Sequence, residues 1–323
     1  LISAPTLDYD PVIRKEPGPR YQYMQRSDGS LHLVDLWLKA SNLAEAARFD
    51  PDRQNVYHLF TRQNPTVSQP LLMGNNGLIG LTNYNANRRT VLLLHGWFGD
   101  AFSPINTVLV PAFLAAEDVN VIVVDWSNGA SNVNYFTSVV NTLNSGISVA
   151  NFINWLNSVT GASPSHYHLI GHSLGAHQVG IIGRHVNGNI AYITGLDAAL
   201  PGWITNDNKF RPTDGAYTEV IHTNAGLLGY LGTQGHVDFY PNGGVNMPGC
   251  NSQQCDHNRC IYYLAESLTS GGFRGTRCLT FPGAMLGQCY LPGRLNMGGL
   301  VPKTGSSGIY YLQTNAEPPF SRG

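Results

Sequence analysis

From Val56 onward, unbroken apolar runs alternate with stretches whose apolar residues recur at helical spacing. Residues 90–96 and 119–126 are apolar almost throughout, as strands covered on both faces require. Residues 136–156 place Val139, Leu143, Ile147 and Phe152 along one helical stripe and predict a long helix. Residues 109–116 read as a shorter helix that holds Pro111 only in its first turn. The same pattern predicts strands at 167–170, 190–194, 220–222 and 309–312, and helices at 175–185 and 261–268. Residues 56–61 read as an edge strand.

Strands separated by helices imply one α/β domain, a mostly parallel central sheet with helices on both faces. That domain is expected over residues 54–323. Residues 1–53 are expected as an arm packed on it, since Pro5, Pro11, Pro17 and Pro19 argue against regular structure. Within the arm, Asp28-Gly29 predicts a turn into a short strand at 31–34, and Ser41 or Asn42 an N-cap for a helix at 41–47.

Composition narrows the class. Lys and Arg number 19 against 20 Asp and Glu, so no basic footprint for nucleic acid exists. No run of 18 apolar residues implies a membrane span. The five cysteines all fall between Cys250 and Cys289, as loop staples of a secreted protein would. Two bridges among five cysteines can form in about 15 ways, and the sequence does not choose. The spacing of Cys250, Cys255 and Cys260 is unlike a zinc ribbon, so no metal is expected. Asn64-Pro65-Thr66 is excluded as a glycosylation sequon by its proline. The chain begins at Leu1 without Met, as expected where a leader has been removed.

The chemistry centres on Gly171-His172-Ser173-Leu174-Gly175, which breaks an apolar strand and opens a helix. A serine on such a strained turn has its hydroxyl exposed and backbone N–H groups behind it. It becomes a nucleophile when a histidine takes its proton and a carboxylate fixes that histidine. Asp197 and Asp125 both follow strands; Asp197 is preferred because the order serine, aspartate, histidine suits this arrangement. His172 and His177 read as packing residues beside the turn, and His222 and His236 are possible bases without a cue. His257 lies in Cys255-Asp256-His257-Asn258-Arg259-Cys260, read as a loop pinned by a disulfide ahead of a helix. Oxyanion donors are expected at the Leu174 N–H and at the Trp97 N–H of the loop after strand 90–96. Phe98 of that loop is expected to wall the substrate site, and Leu227, Leu228, Tyr230 and Leu231 to form its apolar rim.

These stretches resemble the pancreatic-type neutral lipase family, whose members include animal lipases, phospholipases A1 and non-catalytic yolk proteins. The resemblance runs from about Tyr57 to Phe320 through Leu94-His95-Gly96-Trp97, Val124-Asp125-Trp126, residues 171–177 and 195–198, and Asp256-His257-Asn258-Arg259. It implies the α/β-hydrolase fold, Ser173, Asp197 and His257 as a triad, and no cofactor. It also matches Cys250 and Cys255 to the cysteines that close the family's long lid, which leaves only residues 251–254 between them. Cys278–Cys289 is then expected as the second bridge, with Cys260 free or externally bonded. Short-lid members tend to be phospholipases A1 or galactolipases, so a secreted ester hydrolase releasing the sn-1 fatty acid of phospholipids is expected. A triacylglycerol or galactolipid lipase is the alternative. A storage protein of the yolk type would be expected to have lost the serine. No room remains after residue 320 for the family's C-terminal β-sandwich, so no colipase partner is expected.

Overall fold

Alternate residues of each central strand face opposite sides of one sheet, and the two faces bury different helices. The computed structural model describes residues 9–26 and 28–323. Its main sheet has eleven strands. In chain order they are β1 (Val56–Thr61), β2 (Asn64–Leu71), β3 (Thr90–Leu94), β4 (Asn120–Asp125), β5 (Tyr167–His172) and β6 (Tyr192–Leu196). β7 (Tyr217–Ile221), β8 (Val237–Pro241), β9 (Arg274–Cys278), β10 (Arg294–Asn296) and β11 (Gly308–Leu312) follow. The spatial order is β10-β9-β11-β8-β7-β6-β5-β3-β4-β1-β2. From β11 to β4 the strands run parallel, with antiparallel pairs at both ends.

Val91, Leu93, Val121, Val123 and Ile170 pack against α1 (Pro104–Ala116) on one face. Leu92, Leu94, Ile122, Val124 and Leu169 pack against α2 (Tyr135–Thr160) and α3 (Leu174–His185) on the other. A fourth helix, α4 (Gln253–Ser270), lies beside α1 and buries Ile261, Leu264 and Leu268 in the first core. The architecture is that of an α/β hydrolase.

Several elements depart from the sequence expectations. β1 is not an edge strand: β2 covers it, and takes Pro65 and Pro70 because an edge strand tolerates a missing N–H. α1 begins at Pro104 and keeps Pro111 in its interior, since burial of Ile105, Leu109 and Phe113 outweighs one lost hydrogen bond. The strand expected at 190–194 lies at Tyr192–Leu196, carrying Gly195 within it.

The arm differs most. Pro5 lies outside the described residues, but Pro11, Pro17 and Pro19 did not exclude strands. Val12–Lys15 pairs with Trp37–Lys39, and Tyr21–Gln25 forms a hairpin with Leu31–Asp35. The prolines fall beside these strands rather than inside them. The short helix runs Ala40–Ala46 with Lys39 at its N-cap, and Asn42 Oδ1 accepts the Lys39 N–H at 2.8 Å.

Candidate active site

Ser173 sits between the last residue of β5 and the first of α3, with φ at 58°. This left-handed backbone costs a side-chain-bearing residue about 1–3 kcal/mol and must be held by its surroundings. The Ser173 N–H donates to Leu196 O at 3.1 Å, and Ser173 O accepts the Ala199 N–H at 3.2 Å. The flanking glycines are required sterically. A Cβ on Gly171 would collide with the Gly175 carbonyl, and one on Gly175 with the carbonyls of Leu94 and His95.

Asp197 follows β6 directly and is fully buried. Its Oδ1 accepts the N–H groups of Thr223 at 2.9 Å and Asn224 at 3.0 Å; its Oδ2 lies 2.5 Å from His257 Nδ1. Gly229 lies so close that a Cβ there would enter the Asp197 carboxylate. Asp125 belongs to a different pair. Its Oδ1 accepts the Ser127 N–H at 2.9 Å, and the nearest imidazole is His95, 3.5 Å away.

His257 is not on a loop. It lies in the second turn of α4, which starts at Gln253 rather than near Ile261. The expected Cys250–Cys255 disulfide is present and braces the start of the helix, where Ser252 Oγ adds a cap by accepting the Cys255 N–H at 3.1 Å. Asp256 Oδ1 adds a bond from the Met247 N–H at 2.6 Å. The His257 carbonyl accepts from His172 Nε2 at 2.8 Å and from the Cys260 thiol at 3.3 Å. Cys260 is a buried free thiol, and Cys278 is bonded to Cys289.

The loop after β3 comes against the serine. A Cβ on Gly96 would fall 2.9 Å from Ser173 Cβ, so only glycine allows the approach. Leu174 opens α3, where its N–H has no intrahelical acceptor. The Trp97 N–H likewise has no acceptor among the described residues, while the Trp97 indole is fixed to Asn132 O at 2.9 Å. Phe98 and Leu228 line a pocket with Ser173 and His257. Leu227, Tyr230 and Leu231 do not reach it: the Tyr230 backbone is tied to Ala198 and His222, and Leu231 is exposed. Met24 and Gln25 line the pocket unforeseen, because nothing in a local pattern brings a hairpin far back in the chain to Ser173. Among the described residues no cluster of His, Cys, Asp or Glu has metal-binding geometry.

His172 and His177 serve packing and hydrogen bonding. His177 Nε2 donates to Ala199 O at 2.8 Å, and its Nδ1 accepts the Phe210 N–H at 3.1 Å. Burial pushes both imidazoles down to about 3, so they stay neutral in the fold. Below their unfolded value of about 6.5 the unfolded chain gains protons that the native chain refuses. Stability is therefore complete above about pH 6.5 and falls as pH drops toward 3, by up to about 1.4 kcal/mol per pH unit for each group. Melting temperatures should hold level from about pH 7.5 to 6.5 and decline from there to about pH 4.5; a profile flat throughout would contradict the buried neutral state.

A strained serine elbow at the carboxyl edge of a parallel sheet, with a buried carboxylate bonded to a histidine, is an arrangement found in the α/β-hydrolase fold. Residues 38–320 match the family described as Lipase, and the chain belongs to that family. Lipase member H of Xenopus tropicalis is 36% identical over 243 residues, covering 72% of this chain and 52% of that protein. Pancreatic triacylglycerol lipase of Homo sapiens is 34% identical over 267 residues, covering 74% and 57% respectively. The chain thus spans about half the length of the curated relatives it matches. Among solved structures, esterase PE8 overlaps 42% of this chain and 68% of its own, with 15% identity and a TM-score of 0.32. No helix among the described residues is long and apolar enough to cross a membrane.

Proposed function

We propose that this chain is a secreted serine hydrolase of acyl-lipid esters that favours the sn-1 ester of phospholipids. The observation that carries the ester chemistry is the chain of contacts from Asp197 through His257 to the pocket holding Ser173. Ser173 Oγ attacks the ester carbonyl carbon while His257 Nε2 takes its proton. The carbonyl oxygen gains charge and is met by the N–H groups of Trp97 and Leu174, the latter at the positive end of α3. His257 then passes its proton to the departing alcohol. In the second half, water attacks the acyl-serine with His257 as base, releasing the fatty acid and restoring Ser173.

The phospholipid preference rests on the segment between Cys250 and Cys255. Ser252 is a helix cap there, and Gln253 and Gln254 already belong to α4. Such a segment cannot swing aside to uncover the serine or offer apolar surface to a lipid phase. Neutral glyceride hydrolysis is the second reading, favoured by the likeness to a protein named pancreatic triacylglycerol lipase.

Profiling products from phosphatidylcholine, triolein and galactolipid in parallel separates the readings. Release of sn-1 fatty acid from phosphatidylcholine is expected to exceed release from triolein. Turnover of a soluble short-chain ester is expected to rise smoothly through its solubility limit. A sharp rise at the interface together with preference for triolein would refute the lid-based reading and leave the triad untouched.

A further inference from the structure

The hairpin of Tyr21–Gln25 and Leu31–Asp35 lies outside the segment that matches the family, yet it reaches the serine pocket. Its register sets Met24 opposite His32 and Gln22 opposite Val34, placing these four on one face. Met24 and Val34 are buried there, in one cluster with Leu174, Leu228 and the partly buried Trp97. Tyr21, Tyr23, Leu31 and Leu33 are exposed.

His32 of that face and Arg26 beside it hold one ring of the oxyanion loop. The Arg26 guanidinium carbon lies 3.6 Å from the centroid of Phe98, and the His32 ring stacks on Phe98 at 6.0 Å and 29°. Among the described residues Arg26 has no carboxylate at ion-pair distance, and its Nε is buried without an acceptor. Its neighbour is the ring itself, a cation–π contact.

Phe98 needs holding. Its φ of 54° is in the left-handed region, an outlier for a bulky side chain. One backbone bond, Phe98 N–H to Ala130 O at 3.0 Å, anchors it from the other side. A shift of the Phe98 backbone would be passed through the Trp97 Cα to the Gly96–Trp97 peptide, whose N–H must point at the developing oxyanion.

We propose that Arg26 and His32 are positioning residues of the oxyanion hole: by clamping the Phe98 ring they aim the Trp97 N–H at the carbonyl oxygen of an ester bound at Ser173. The inference rests on the roles given above to Ser173 and Trp97. The hairpin then does more than wall the pocket, since it holds part of the machinery in register.

The test uses the full chain and p-nitrophenyl butyrate, a soluble ester for which phospholipid preference does not matter. Arg26→Ala is expected to lower kcat about ten-fold with KM changed less than about two-fold, because misaiming an oxyanion donor acts on the transition state. Affinity for a boronic acid that forms a tetrahedral adduct should fall by a similar factor. Arg26→Lys, which keeps a cation over the ring, should recover part of the loss. Leu33→Ala on the exposed face should leave kcat unchanged. A double-mutant cycle decides the route: with Phe98→Ala already present, Arg26→Ala should cost little more. Arg26→Ala that melts earlier but keeps kcat and adduct affinity would overturn the proposal, as would losses that simply add in the cycle. Failure of the underlying nucleophile assignment is distinguishable, because Ser173→Ala would then retain turnover whatever the hairpin variants do.

Discussion

Ser173→Ala is expected to remove hydrolysis of a soluble ester, by on the order of 10³-fold or more, while the protein melts within a few degrees of the parent. The asymmetry follows from what the hydroxyl does in the fold. The elbow is held by backbone bonds, Ser173 N–H to Leu196 O and Ala199 N–H to Ser173 O, and alanine keeps both. The Cβ that faces Gly96 is retained as well. The serine side chain makes no capping bond to α3, so its loss leaves no buried partner unsatisfied. Initial rates on p-nitrophenyl butyrate and a thermal melt of the same sample provide the check. Activity above about a tenth of the parent in a correctly folded variant would remove Ser173 from the nucleophile's role.

What was legible in the sequence tracks how local each constraint is. The central strands declare themselves because a sheet buried on both faces needs unbroken apolar runs, as at Thr90–Leu94 and Asn120–Asp125. The elbow does so because glycine is forced on both sides of Ser173 by backbone collisions, which leaves a spacing to read. The edge strand β2 was hidden by its prolines, and α4 by the polar residues Gln253, Gln254 and Asp256 in its first turns. Of these, Gln254 lines the serine pocket, while Asp256 is buried and accepts the Met247 N–H. The part played by Met24, Arg26 and His32 had no local signature at all. It depends on where a hairpin near the start of the chain docks, and only the three-dimensional arrangement brings it to Phe98.

Asp197→Asn is expected to cost on the order of 10⁴-fold in kcat at neutral pH, and Asp125→Asn less than about ten-fold. The hydrogen bonds around each carboxylate set the difference. Asp197 Oδ1 accepts two backbone N–H groups, from Thr223 and Asn224, so an asparagine must keep its amide oxygen on that side. Its NH₂ then faces His257 Nδ1, where Oδ2 now accepts at 2.5 Å. Two donors cannot share that contact, so His257 moves its proton to Nε2 and presents a bare Nδ1 to the amide. A protonated Nε2 cannot take the proton of Ser173, and the first step stops. At Asp125 the oxygen that receives the Ser127 N–H survives as an amide oxygen, so that bond is kept. The Trp126 N–H already donates to His95 Nε2 at 3.1 Å, so the imidazole beside Asp125 is held independently of that carboxylate. Steady-state kinetics of both variants on one soluble ester, with circular dichroism to establish folding, distinguish the two carboxylates. Comparable losses in two folded variants would mean that Asp125 shares the burden of orienting the base.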